Sequence, residues 1–128
     1  MQIKAILFDF DGTLANTVDL IIATFEHTCR TMLGTVPPRA AIVNTFGLPL
    51  GDAMLALSDR AELVEQMRDV YREYNNKHHN EMIKPIAGVQ EMLAALKEQD
   101  IKIAVVTSKK RPMVLRGISC LQLEQYID

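Results

Sequence analysis

Two aspartates one residue apart, followed by glycine, close the segment Asp9-Phe-Asp-Gly12, directly after the apolar run Ala5-Ile-Leu-Phe8. In extended chain, residues two apart point to the same side, so the carboxylates of Asp9 and Asp11 share one face. Held that close they repel, and burying them alone is costly. A hard divalent cation such as Mg²⁺ removes that cost and prefers oxygen ligands. The chemistry this suits is phosphoryl transfer. One aspartate attacks phosphorus and becomes an aspartyl phosphate. The other protonates the leaving oxygen and then deprotonates the water that clears the intermediate. Gly12 permits a tight departure and a close approach of backbone to ligand. Backbone N–H groups of its turn can meet phosphate oxygens.

A second candidate cluster lies far along the chain. Ile101-Lys-Ile-Ala-Val-Val106 is β-branched and apolar, and it ends in Thr107-Ser-Lys-Lys-Arg-Pro112. A hydroxyl pair at the carboxyl end of a strand, ahead of a helix, is a phosphate-binding arrangement. Lys109-Lys-Arg111 reads as a solvated helix start. His27, His78 and His79 have no partnered spacing and read as surface or satisfied core histidines. The seven methionines read as core filling.

Strands must carry both clusters. A short continuous apolar run at about residues 3–8 predicts a strand buried on both faces, the parallel-sheet type, with Asp9 as its last residue. In open parallel sheets the ligand crevice lies at the carboxyl ends of strands. Residues 101–106 predict the second strand. Between them the pattern is helical. Val18, Ile21, Ile22, Phe25, Cys29, Met32 and Leu33 recur at steps of three and four, giving a helix over 16–33 with Asn16 or Thr17 as cap and Gly34 as stop. Short helices follow at 40–46 and 52–57, separated by Gly47-Leu-Pro-Leu-Gly51. Ser58 then reads as the cap of a long helix reaching His78 or His79, with Leu63, Met67, Val70, Tyr71 and Tyr74 as its apolar stripe. Ile83-Lys-Pro-Ile-Ala-Gly88 returns the chain. A helix over 89–97 points Val89, Met92, Leu93 and Leu96 inward, and a last helix begins near Pro112.

Asp9-Phe-Asp-Gly-Thr-Leu14 resembles the first signature of the haloacid dehalogenase (HAD) superfamily of phosphatases. Its five fixed letters would match by chance on the order of once in a million start positions, so a chance turn is the weaker explanation. The Thr107-Ser108 strand end resembles the superfamily's second signature, with Lys109 where asparagine or aspartate is frequent. The resemblance implies an α/β fold: a partial Rossmann-like core with a parallel sheet, residues 1–15 and 83–128, and an inserted helical cap, residues 16–82. It implies Asp9 as nucleophile and metal ligand. Asp11 becomes the general acid/base, binding metal through its backbone carbonyl. Gly12, Thr107 and the Ser108 backbone become phosphate-binding, and Mg²⁺ the cofactor. Thr45–Gly51 resembles the cap loop that family members aim at the site. The superfamily's third signature, a lysine, and its fourth, an acidic pair, lie beyond Asp128. The chain is therefore expected to be an incomplete piece, weakly active or inactive.

The implied function is Mg²⁺-dependent hydrolysis of small phosphorylated metabolites, nearest to the phosphoglycolate phosphatase-like branch. A pyrophosphatase or sugar-phosphate mutase of the same superfamily is the sister reading, and a non-catalytic fragment or binding module that keeps the fold is the alternative. Composition agrees with a compact soluble protein. The 128 residues are 48% hydrophobic and 23% charged, with net charge −2, which gives no electrostatic case for nucleic acid or an anionic membrane. The first apolar run is too short for a signal peptide or membrane span. Cys29 and Cys120 have no metal or redox spacing and read as reduced core residues of a cytoplasmic protein. Two parallel strands alone leave uncovered edges, so a homo-oligomer covering them is expected.

Overall fold

The computed structural model describes residues 2–128. They form two compact units: one runs up to Val18 and resumes over Asn80–Asp128, and the other is Asp19–His79.

In the first unit, β1 (Ala5–Phe8) pairs in parallel with β4 (Lys102–Val105), in the register Ala5↔Lys102 to Phe8↔Val105. The Lys102 N–H donates to the Lys4 carbonyl at 2.9 Å and the Val106 N–H to the Phe8 carbonyl at 2.8 Å, one bond at each end of the ladder. A two-residue antiparallel ladder joins β2 (Ala15–Asn16) to β3 (Lys84–Pro85). It holds the point where the chain leaves this unit against the point where it returns. The unit also contains α5 (Val89–Glu98), α6 (Arg111–Cys120) and a 3₁₀ turn at Glu124–Tyr126. Gly88 ends the return segment at φ +88°, a conformation open to glycine and strained for side chains with a Cβ.

The core of this unit is Phe10, Leu14, Ala15, Ile83, Val89, Leu93, Ile103, Val114, Ile118 and Leu123. Phe10, the residue between the two aspartates, is its fulcrum. Its ring lies against Gly117 of α6, where a built Cβ would stand 2.6 Å from Phe10 Cζ and 2.8 Å from Cε2. Glycine here is a packing requirement.

Several expectations need correction. The β1 ladder ends at Phe8, one residue before Asp9, because Phe10 turns inward and its carbonyl accepts the N–H groups of Thr13, Leu14 and Ala15. β1 is not buried on both faces. Ala5 and Leu7 are exposed, while Ile6 and Phe8 are half-buried. Among the described residues nothing covers the side to which Leu7 points, so burial follows the two-residue period of a strand with one packed face. Leu7, Ile3 and Val106 are each at least 60% exposed. Met92 faces solvent, not the core, and Cys120 is exposed whereas Cys29 is buried. Burial raises the Cys29 thiol pKa and keeps it a protonated, inert thiol at neutral pH.

The second unit is helical: α1 (Val18–Leu33), α2 (Arg39–Val43), α3 (Leu50–Ser58), a 3₁₀ turn at Ala61–Leu63, and α4 (Val64–Met82), whose last residues pass into the first unit. α1 starts two residues later than its periodicity suggests, because Asn16 is drawn into β2. The Asn16 Oδ1 still accepts the Val18 N–H at 3.3 Å. α1 and α4 meet edge-to-face at Phe25 and Tyr71, with ring centroids 4.9 Å apart. Gly51 does not break the chain: α3 begins at Leu50, straight after Pro49. A glycine in the first turn gives up no intrahelical N–H bond. Ser58 ends α3 and does not cap α4; its hydroxyl accepts the Arg60 N–H at 3.1 Å.

Two predictions follow from this packing. Gly117→Ala gains about 1 kcal/mol of helix propensity but overpacks the Phe10 ring, which costs about 1–3 kcal/mol. The net effect expected in chemical denaturation is destabilisation, opposite to the usual glycine-to-alanine change in a helix. The second prediction concerns Asp128. Its carboxylate accepts Lys97 Nζ at 2.7 Å and the Ile103 N–H at 2.8 Å, and these bonds, with Lys102 nearby, lower its pKa below the ordinary carboxylate value. A depressed folded-state pKa contributes stability above the unfolded value of about 4 and loses it as pH falls through the folded one. The melting temperature of the native chain should exceed that of Asp128→Asn at pH 7, and the difference should vanish in acid.

Candidate active site

The parallel register builds the site. Phe8 is opposite Val105, so Asp9 and Thr107 leave adjacent strand ends. Strands about 4.8 Å apart, offset by one residue of about 3.3 Å, put the two backbones roughly 6 Å from each other. Phe10, fully buried, acts as the keel between the acids: its inward turn leaves Asp9 exposed and Asp11 half-buried on the outer side.

Each candidate residue has a defined setting. Asp9 Oδ1 accepts the Phe10 N–H at 2.8 Å, which fixes the carboxylate beside its own backbone. Asp11 Oδ1 accepts two bonds, from Thr17 Oγ1 at 2.9 Å and from Lys109 Nζ at 3.1 Å. Gly12 adopts φ +78° and is exposed. Its N–H donates to the Ala15 carbonyl at 2.8 Å, so that donor is engaged within the turn and does not face outward as a free phosphate-nest group. Glycine's contribution in this geometry is the left-handed turn. Thr107 is half-buried and its Oγ1 accepts the Lys109 N–H at 3.1 Å, while Ser108 is exposed.

Thus the structure brings the Asp11 loop and the Thr107–Lys109 loop into direct contact, with Asp9 one strand end away. Two participants escaped the sequence patterns. Thr17 reads there as a helix cap but binds Asp11. Lys109 reads as solvated, yet its ammonium reaches Asp11 and lies 5.5 Å from the centre of the Phe10 ring. No local pattern marks either contact; only the strand register does.

The donor set can be tested against a metal ion. Among the described residues no group of three or more His, Cys, Asp or Glu side chains converges on one point. Asp9 and Asp11 are a two-carboxylate, all-oxygen pair. That suits part of a Mg²⁺ shell, since Mg²⁺ retains several waters and takes one or two carboxylates plus phosphate oxygens. A cleft of about 510 Å³ runs along β4 and α6, lined by Val105, Thr107, Lys109, Arg111, Val114 and Ile118 among others, and continues to Asp128. Neither this cleft nor a smaller cavity of about 160 Å³ near Leu14 and Pro85 is lined by Asp9 or Asp11.

Comparison with known proteins shows the family. Pyrophosphatase PpaX from Halalkalibacterium halodurans is 38% identical over 128 residues, which is 100% of this chain and 59% of that protein. Pyrophosphatase PpaX from Bacillus mycoides is 37% identical over the same length, again 100% and 59%. The chain therefore spans less than two thirds of the length of these relatives. Among solved structures, a haloacid dehalogenase-like hydrolase from Streptococcus pneumoniae superposes with a TM-score of 0.90 at 23% identity, covering 98% of this chain and 59% of that one. At that identity the likeness shows the fold alone. The family model for haloacid dehalogenase-like hydrolases matches residues 6–128, from inside β1 to the final residue. The chain belongs to the haloacid dehalogenase-like hydrolase family.

Proposed function

We propose that the chain carries the nucleophile half of a Mg²⁺-dependent phosphohydrolase acting on a small phosphorylated metabolite. Pyrophosphate is preferred over phosphoglycolate, since the two relatives compared above bear the name pyrophosphatase. The observation that supports the reading is the parallel pairing of β1 with β4, after whose ends Asp9 and Thr107 follow.

In this mechanism a carboxylate oxygen of Asp9 attacks phosphorus, forming an aspartyl phosphate as the bond to the leaving oxygen breaks. Asp11 gives its proton to that oxygen, then takes one from the water that attacks the intermediate, and inorganic phosphate departs. Thr107 Oγ1 and the Ser108 backbone hold the phosphate oxygens, with the Gly12 turn at their side. Asp9 and the Asp11 carbonyl would hold the Mg²⁺, which supplies neutralisation of phosphate charge when bound. The helical unit, which includes Thr45–Gly51, is assigned the part of a cap that selects the group beyond the phosphate. Two free cysteines fit a reducing cytoplasm, and among the described residues no helix is long and apolar enough to cross a membrane.

A second reading, a fold-retaining module without turnover, is favoured by the two-acid donor set. One experiment separates the two. Release of inorganic phosphate from pyrophosphate, and from an aryl phosphate, is measured with Mg²⁺ for the native chain and for Asp9→Asn. The phosphohydrolase reading expects weak activity in the native chain and its loss in the variant. Equal activity in both removes Asp9 as nucleophile; activity in neither selects the second reading.

A further inference from the structure

We infer that Lys109 is the positioning residue of Asp11, pinning one carboxylate oxygen and leaving the other for proton transfer. The inference deepens the phosphohydrolase reading, since the value of that free oxygen rests on Asp11 being the acid/base.

Three observations carry it. First, the Lys109–Asp11 bond joins residues 98 apart in sequence and ties the β1 loop to the β4 loop. Both side chains are largely withdrawn from water, at 20% and 31% exposure. Screening is weaker there than for an exposed pair, and the geometry is better fixed. Second, Lys109 is itself anchored at root and stem. Its N–H donates to Thr107 Oγ1 at 3.1 Å, and its ammonium lies 5.5 Å from the centre of the buried Phe10 ring. The lysine is thus referenced to the expected phosphate ligand and to the residue that separates the two acids. Third, the bonds to Asp11 are asymmetric. Thr17 Oγ1 and Lys109 Nζ both meet Oδ1, and among the described residues no side-chain donor meets Oδ2. A carboxylate held by one oxygen keeps a fixed torsion and still offers a second oxygen to gain and lose a proton. The Thr17 hydroxyl is a single contact that a small rotation can follow, whereas the ammonium approaches from the other loop and closes the clamp.

The test reads the geometry of Asp11 in the 128-residue chain at one fixed pH and needs no turnover. Three-bond couplings to Asp11 Cγ report its χ1 torsion. The native chain should show one staggered rotamer, and Lys109→Met should average over two or three wells. Lys109→Arg, which restores a cation, should return to one. Thermal midpoints of all three should stay within a few degrees, which a merely structural role for Lys109 would not allow. Averaging already present in the native chain, or a single rotamer retained in Lys109→Met, overturns the inference. If Lys109→Met fails to fold, Lys109→Gln serves under the same criteria. If neither folds, Lys109 is structural and the inference is overturned. The phosphohydrolase reading fails separately, on Asp9→Asn.

Discussion

Parallel strands bond edge to edge while their chain directions agree, so whatever follows one strand lies beside whatever follows its neighbour. That constraint governs this molecule. The β1–β4 register fixes Phe8 against Val105, and from that pairing the acids of one loop and the hydroxyl and ammonium of another become neighbours across nearly a hundred residues. A slip of one residue would turn the side chains of β1 to the opposite face. It would also carry Asp9 and Asp11 away from Thr107. The core specifies the register from beneath: Ile103 is fully buried, and Phe10 is seated in the notch that Gly117 leaves open.

Stability and chemistry are coupled through Phe10. A loop bearing two carboxylates has little reason to lie close to a protein interior. The apolar ring between them supplies one: it buries completely, and its carbonyl gathers the N–H groups of Thr13, Leu14 and Ala15 into a closed turn. The carboxylates are left at the surface of that turn, where solvation remains available and where Thr17 and Lys109 can reach Asp11. The two-residue β2–β3 ladder then holds the exit and return of the helical segment together, so the segment can be long without loosening the acid loop.

Much of this was legible in the sequence because it is written locally. The apolar run ending in Asp-x-Asp-Gly names its own chemistry, the Thr107 strand end names the partner loop, and the three-and-four spacing of α1 is unambiguous. What the sequence hid depends on tertiary placement. Thr17 and Lys109 carry no periodic signal; their roles come from the register. A two-residue ladder such as β2–β3 is too short to leave a pattern. Gly51 misled because glycine is tolerated in a first turn, and Ser58 because it ends α3 and its hydroxyl accepts the Arg60 N–H, six residues before the start of α4. Met92 and Leu7, read as buried, face solvent because helix and strand pattern fixes which residues share a face, not whether something covers it.

The central claim is that the ends of β1 and β4 form one binding cleft. Backbone amide shifts of the 128-residue chain, recorded while MgCl₂ and then inorganic phosphate are added, test it most directly. The account predicts saturable shifts concentrated in residues 9–13 and 107–109, both loops responding with one shared affinity. Shifts centred elsewhere, or the two loops responding with separate affinities, would contradict it.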